Sequence, residues 1–214
     1  DFEAFRKRVS ERLGDANPYN NNPNLPKYDP KDPEYRYGYG RYAQDVIIPA
    51  FLAAYTGSTP EDVPLIKNYA KNVRSNPFKD ILPRPNWRIS YNGLSRIKPF
   101  SDFLTNFTLT HQYTGLLSMN SYNTALVFYD PLILGYPAFR DSVSGNYVPY
   151  FLVPNLTITE QFVPLLEADM TFTNSLNLRV GFRRSRTLSL SLIDYQLSEM
   201  RSSEITVGGG YRVR

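Results

Sequence analysis

The 214-residue chain has no cysteine, a single tryptophan, a single histidine and no lysine after Lys98. Without cysteine there can be no disulfide scaffold, no thiolate metal site and no cysteine nucleophile. No stretch approaches the roughly 20 apolar residues of a membrane-spanning helix; the longest, VIIPAFLAAY at Val46 to Tyr55, is about half that and contains Pro49. Any crossing of a membrane would have to use strands. The formal net charge of +4 is small and spread along the chain, with no basic block, which argues against nucleic acid as a partner. Asp1 to Gly14 has the pattern of a charged amphipathic helix and lacks the basic region and apolar core of a signal peptide. With an opening residue that is not Met and an end directly after a strand pattern, this predicts an interior piece of a longer protein.

What the chain does have is ring surface: 17 Tyr and 13 Phe. It also has a long tract, Leu156 to Val213, in which apolar residues alternate with Ser, Thr, Asn and charged residues. Leu166, Ala168, Met170 and Phe172 alternate with Glu167, Asp169, Thr171 and Thr173. Leu176, Leu178, Val180 and Phe182 alternate with Asn177, Arg179, Gly181 and Arg183, then Leu188, Leu190 and Leu192 with Thr187, Ser189 and Ser191. A last run sets Ile205, Val207, Gly209, Tyr211 and Val213 against Thr206, Gly208, Gly210 and Arg212. Successive strand side chains point to opposite faces, so each run makes one apolar and one polar face. A soluble antiparallel sheet with one face on a core has this alternation, and so does a transmembrane β-barrel with an apolar face toward lipid and a polar face toward a wet lumen. Polar faces of Ser, Thr, Asn and Arg, with Tyr and Phe near the strand ends, favour the barrel.

Upstream, residues 1–85 form a separate region. A helix over residues 1–14 is predicted from the stripe Phe2, Phe5, Val9 and Leu13, with Gly14 as its stop. Asp15 to Tyr42 holds five prolines, five asparagines and six tyrosines, and predicts an irregular segment ordered only if its rings dock on something. A second helix is expected from about Ile48 to Tyr55, and a third from Thr59 toward Arg74, opened by Thr59-Pro60-Glu61-Asp62. Asn76 to Pro85 reads as connection. From Trp87 onward the pattern turns to strand: Trp87, Ile89 and Tyr91, then Phe107, Leu109, His111 and Tyr113, with GLSRIKPFSDF as a compact link. Two less regular strands are expected in SYNTALVFYD and NYVPYFL, for about eight strands in residues 86–214.

No catalytic constellation emerges, and the reading is of a protein that is not an enzyme and takes no cofactor. His111 has no G-x-S-x-G elbow to serve and lies within an alternating strand. Glu167 and Asp169 share a strand face, as an acid and base pair would, but that face continues as Thr171 and Thr173. Asp29, Asp32 and Glu34 are candidate calcium ligands without the glycine and terminal glutamate of an EF-hand loop. Gly208 to Gly210 lacks the Lys-Ser/Thr of a phosphate loop and predicts a bulge or a close backbone approach. Arg183, Arg184 and Arg186 read as turn or lumen charges.

The strings PNWRISYNGLSRI and FSDFLTNFTLTHQY resemble the C-terminal region of the SprA/Sov family, outer-membrane translocons of the type IX secretion system that also serve gliding motility. The resemblance extends, in the same order, to FEAFRKRVSERLG, DVIIPAFLAAYTG, ITEQFVPLLEADMTFTNSLNLRVGFRRSRTLSLSL, QLSE and GGGYR. It implies that residues 86–214 are strands in the wall of a very large β-barrel of the cell outer membrane. Residues 1–85 would then be an insertion that packs against, plugs or caps it. The implied function is a conduit for secreted cargo proteins, and the implied partners are that cargo, outer-membrane lipid, and other secretion components including plug or cap proteins. On this reading Glu167, Asp169, Thr171, Asn177, Arg179, Arg183, Ser189 and Ser191 line the lumen, and Leu178, Val180, Phe182, Leu188, Leu190 and Leu192 meet lipid. Glu160 shares the parity of Leu156, Ile158 and Phe162, which predicts a bulge, a rim position or a protein-covered face there. Two alternatives stand beside this one: another outer-membrane barrel, such as a porin or TonB-dependent transporter, and a soluble β-rich module that binds glycans on its Tyr rings.

Overall fold

A computed structural model of the chain describes residues 2–66, 85–119 and 121–213. Among the described residues the fold is mainly antiparallel β, with two α-helices in the N-terminal part. The described residues divide into two compact units. One takes those up to residue 66, from 119 to 156 and from 191 to 196; the other takes the rest.

In the first unit, α1 spans Phe2–Ala16 and α2 spans Gln44–Thr56. Val9 and Leu13 of the predicted stripe are buried. Gly14 does not stop α1. A Cβ there would come within 2.5 Å of the Arg36 side chain, so the glycine makes room for a buried guanidinium that pairs with Asp15. α2 begins four residues before its predicted start, placing Pro49 in mid-helix, where it removes one backbone donor. The helix is nonetheless almost wholly apolar from Val46 to Ala53 and buried along that length, so packing outweighs the lost bond. Gly57, at φ 78°, ends it in the left-handed conformation that favours glycine.

The Tyr/Pro/Asn stretch is ordered by its rings. Tyr35 and Tyr39 are fully buried, and the Tyr39 ring lies 5.3 Å from that of Tyr147. Asn17, also fully buried, donates through its amide to the Tyr39 hydroxyl at 2.9 Å and to the Pro137 carbonyl at 3.1 Å. The predicted third helix opens as expected: the Thr59 hydroxyl oxygen accepts from the Asp62 N–H at 3.2 Å. Residues 60–63 nevertheless form turns, and most of the predicted helix, with the connection after it, lies outside the described residues. The two irregular strands of the later loop shrink to the two-residue pair β3 (Asn123–Thr124) and β4 (Phe151–Leu152).

The second unit is built on one sheet. β1 (Trp87–Tyr91), β2 (Leu104–Ser118), β5 (Asn155–Phe172), β6 (Leu176–Ser191) and β7 (Leu197–Tyr211) lie in the order β1-β2-β5-β6-β7. The expected eight strands are therefore fewer and longer, because runs that read as separate strands are continuous. The Arg183 to Arg186 segment, read as turn or lumen charges, lies in the middle of β6 with unbroken pairing to β7. GLSRIKPFSDF forms the compact link expected, as two short 3-10 turns.

Candidate functional site

Directly opposed residues of antiparallel strands share a face, so the pairing register sorts every side chain of the sheet. Thr108 opposes Asp169 and Thr110 opposes Glu167, while Arg179 opposes Gly208, Asn177 opposes Gly210, Arg183 opposes Glu204 and Ser189 opposes Ser198. Arg179 also donates from Nε to Asp169, joining β5 to β6 on this side. Glu167, Asp169, Thr171, Asn177, Arg179, Arg183 and Ser189 thus fall on one polar face. Ser191, at the end of β6, belongs with the first unit and donates its N–H to the Gln196 carbonyl at 2.8 Å.

The polar face holds an open trough of about 520 Å3 floored by Gly208, Gly209 and Gly210 and flanked by Asn106, Asp169, Asn177 and Arg179. The glycines make neither the bulge nor the close approach expected of them. Register with β6 runs straight through them, and a Cβ on Gly208 or Gly210 would meet nothing within 4 Å. They strip side chains from the wall and leave peptide groups exposed beside the Arg179–Asp169 pair.

The opposite face has a layered order. At one end lie Phe100, Phe103, Phe107 and Phe172 in mutual ring contact, with Leu176 opposite Tyr211. The next levels are apolar and open: Tyr91 opposes Leu109, Ile89 opposes His111, Val180 opposes Val207, and Phe182 opposes Ile205. Ile205 is 74% exposed, Val207 67% and Ile89 59%. A second aromatic cluster closes this band, with Trp87 stacked on Tyr113 at 4.4 Å and Phe162 5.0 Å from Tyr113. His111 sits among these rings, its Nδ1 2.6 Å from the Leu165 carbonyl oxygen. From Leu176 to Arg184 the band covers about 27 Å along β6 at about 3.3 Å per residue.

Beyond the band comes a charged row that periodicity alone did not reveal. Arg186 lies 3.6 Å from Glu160 and 2.5 Å from Glu199, Glu199 also holds Arg201 at 2.7 Å, and the Tyr113 hydroxyl donates to Glu160 at 3.2 Å. The signal was present in the sequence, since Arg184 and Arg186 share the parity of Phe182 and Leu188; reading the arginines as one cluster hid it. Glu160 is thereby paired and largely covered, and the register between β2 and β5 shifts just beside it, between Thr110 and Thr114. At the edge of this row and past it the same face is buried: Leu188 is 1% and Leu190 2% exposed. Both were expected to meet lipid. Leu188 stands level with Glu199 of the charged row and Leu190 beyond it, where the face has changed from exposed to covered. Leu192 lies outside the strand altogether, with its N–H on the Pro154 carbonyl.

In the first unit, the carboxylates considered for calcium turn to cations and backbone. Asp32 and Glu34 flank Arg41 at 3.3 and 3.5 Å, Glu34 holds Lys7 at 2.7 Å, and Asp29 accepts from the Lys31 N–H at 2.9 Å. A cleft of about 430 Å3 there is walled by Tyr42 and Tyr195, with ring centroids 4.7 Å apart. Gln44 at its edge donates to the Phe151 carbonyl at 2.6 Å and accepts from the Val153 N–H at 2.8 Å, so both ends of its amide are engaged by strand backbone. Among titrating groups, Tyr39 is held well above the ordinary tyrosine range, chiefly by burial and then by the nearby Asp45 charge. Partial burial opposes ionisation of Asp130, yet the Tyr19 hydroxyl and the Gly135 and Leu134 N–H groups hold its carboxyl below the usual value. No protein-family model and no curated protein sequence matches the chain.

Proposed function

We propose that the five-stranded sheet is part of the wall of a transmembrane β-barrel in an outer membrane, and that the barrel is a conduit for secreted proteins of the type IX kind. The observation that carries the membrane reading is the open apolar band closed at both ends by aromatic rings. A soluble sheet would bury such a band on a core. Aromatic girdles on either side of an apolar belt roughly 25 Å tall are what a lipid-facing barrel wall carries. Strands tilted by 35–45° would bring a run of about 27 Å to roughly 20 Å across the bilayer, close to that height. β1 and β7 each have one edge without a partner strand among the described residues, which supports membership in a larger barrel over a small closed one.

The step from barrel to protein conduit rests on the resemblance to the SprA/Sov translocons and on the character of the polar face. Its hydroxyls, amides and bare glycine backbone, with charges of both signs, give a hydrated wall that offers a passing chain few apolar footholds, Met200 and Leu116 among them. Lumen lining by Glu167, Asp169, Thr171, Asn177, Arg179, Arg183, Ser189 and Ser191 is part of this proposal. The test is a paired substitution in the intact parent protein, assayed by recovery in the outer-membrane fraction and by secretion of cargo. Val180→Arg, in the middle of the apolar band, should abolish assembly, while Asn177→Arg on the other face should assemble normally. Equal recovery of the two variants would refute the face assignment; normal assembly of wild type without any secretion defect on its deletion would refute the conduit.

A further inference from the structure

The charged row beyond the apolar band has one cation more than it can pair. Three guanidinium groups, Arg184, Arg186 and Arg201, share this face with two carboxylates, Glu160 and Glu199. Glu160 and Glu199 are taken by Arg186 and Arg201, whereas Arg184 is exposed and makes no ion pair among the described residues. It stands opposite Ser203, whose hydroxyl shares its face, and beside Ser203 it lines a recess of about 230 Å3 with Phe162, Ser185, Arg186 and Glu160, the last already paired with Arg186. Two residues along the strands lie Phe182, half-buried, and Ile205, and two further Val180 and Val207, the last three open.

We infer that Arg184 and Ser203 form a seat for the phosphate of a membrane-lipid headgroup, with the acyl chains lying along the Phe182–Ile205 and Val180–Val207 pairs. The inference rests on the membrane-barrel reading and adds a specific partner to it. An unpaired guanidinium at the depth of an aromatic girdle is where an anionic headgroup is found, and its fork of donors suits phosphate oxygens. A serine hydroxyl across the strand pair supplies a further donor. The registered apolar pairs below continue the seat in the direction in which the chains of a lipid must run.

The test titrates the intact parent protein in detergent with dioleoyl phosphatidic acid and counts bound lipid by native mass spectrometry. Arg184→Gln should weaken the first lipid bound by about tenfold, as loss of one charge-assisted bond implies, and Ser203→Ala by about threefold. Arg88→Gln, the same change of charge on the polar face, should leave binding unchanged. Lipid affinity equal in Arg184→Gln and wild type would overturn the seat, as would displacement of the lipid by inorganic phosphate at equal concentration, which would mark a site for the free anion. Recovery in the outer-membrane fraction is scored for each protein. Absence of the wild type from that fraction would remove the barrel reading itself, whereas insertion with lipid binding indifferent to Arg184 would remove only the headgroup seat.

Discussion

The two units handle apolar surface in opposite ways. The first gathers it into an interior, where Val9, Tyr35, Tyr39, Ile48 and Phe51 are all fully buried and the buried amide of Asn17 has two acceptors, and leaves open only scattered loop residues such as Leu126, Leu132 and Val143. The sheet displays it, with Ile89, Val180, Ile205, Val207 and Tyr211 open on a single face. A water-facing band of that extent would forfeit about 25 cal/mol for every square ångström left uncovered. One unit is therefore organised around an interior, and the other sets its apolar residues side by side on one open face.

Substitutions can break this contrast, and the largest effect is expected in the buried interior. Phe51→Ala should cost about 3–5 kcal/mol in the first unit, read as a gain in protease cleavage within residues 2–66 of the intact protein. Val180→Arg should cost about 2–4 kcal/mol only if that face meets lipid; the unfolding midpoint in detergent micelles, set against Thr206→Arg on the polar face, measures the difference. Asn17→Ala removes the donor to Tyr39 and Pro137 and should cost about 1–3 kcal/mol, lowering the protease-resistance temperature of the first unit alone. A pH titration sharpens the contrast further. The folded pKa of Tyr39 is raised above its unfolded value, so its contribution to stability is whole below about pH 10 and falls as pH climbs beyond it. Phenolate absorbance followed through unfolding should show Tyr39 ionising together with loss of the first unit, and a Tyr39→Phe variant should lose that alkaline step. Smallest of all, Gly208→Ala has open space around it and should shift stability by less than about 1 kcal/mol in either direction.

Much of the sheet was legible because its period is local. β1 and the alternation in β2, β5, β6 and β7 follow from every second residue, and the polar face falls where parity put it. What parity could not supply was continuity. The arginines at 183, 184 and 186 resembled a turn by composition, yet cross-strand pairing carries β6 through them, so strand lengths were underestimated and the charged row went unseen. Leu188 and Leu190 have the same parity as Val180, and only the three-dimensional structure distinguishes covered from open along a single strand. In the first unit, α1 was visible from its stripe. The start of α2 was not, because Pro49 suggested a first turn while burial of the helix decides otherwise. Gly14 was legible as a constraint but not as the right one, since its cause, Arg36, is distant in sequence.

β5 is 18 residues long, about 60 Å at 3.3 Å per residue, and the stretch between its two aromatic ends, Phe162 and Phe172, takes about 33 Å of that. On the barrel reading, a wall that only had to cross the bilayer could end at the second ring of aromatics. This one continues past its charged row for several more residues of paired strand, so the passage it encloses would keep its side walls after leaving the hydrocarbon. A polypeptide in transit would meet a chimney as well as a hole, and would stay shielded from the lateral surroundings for a distance set by hydrogen-bonded backbone and unaffected by lipid thickness.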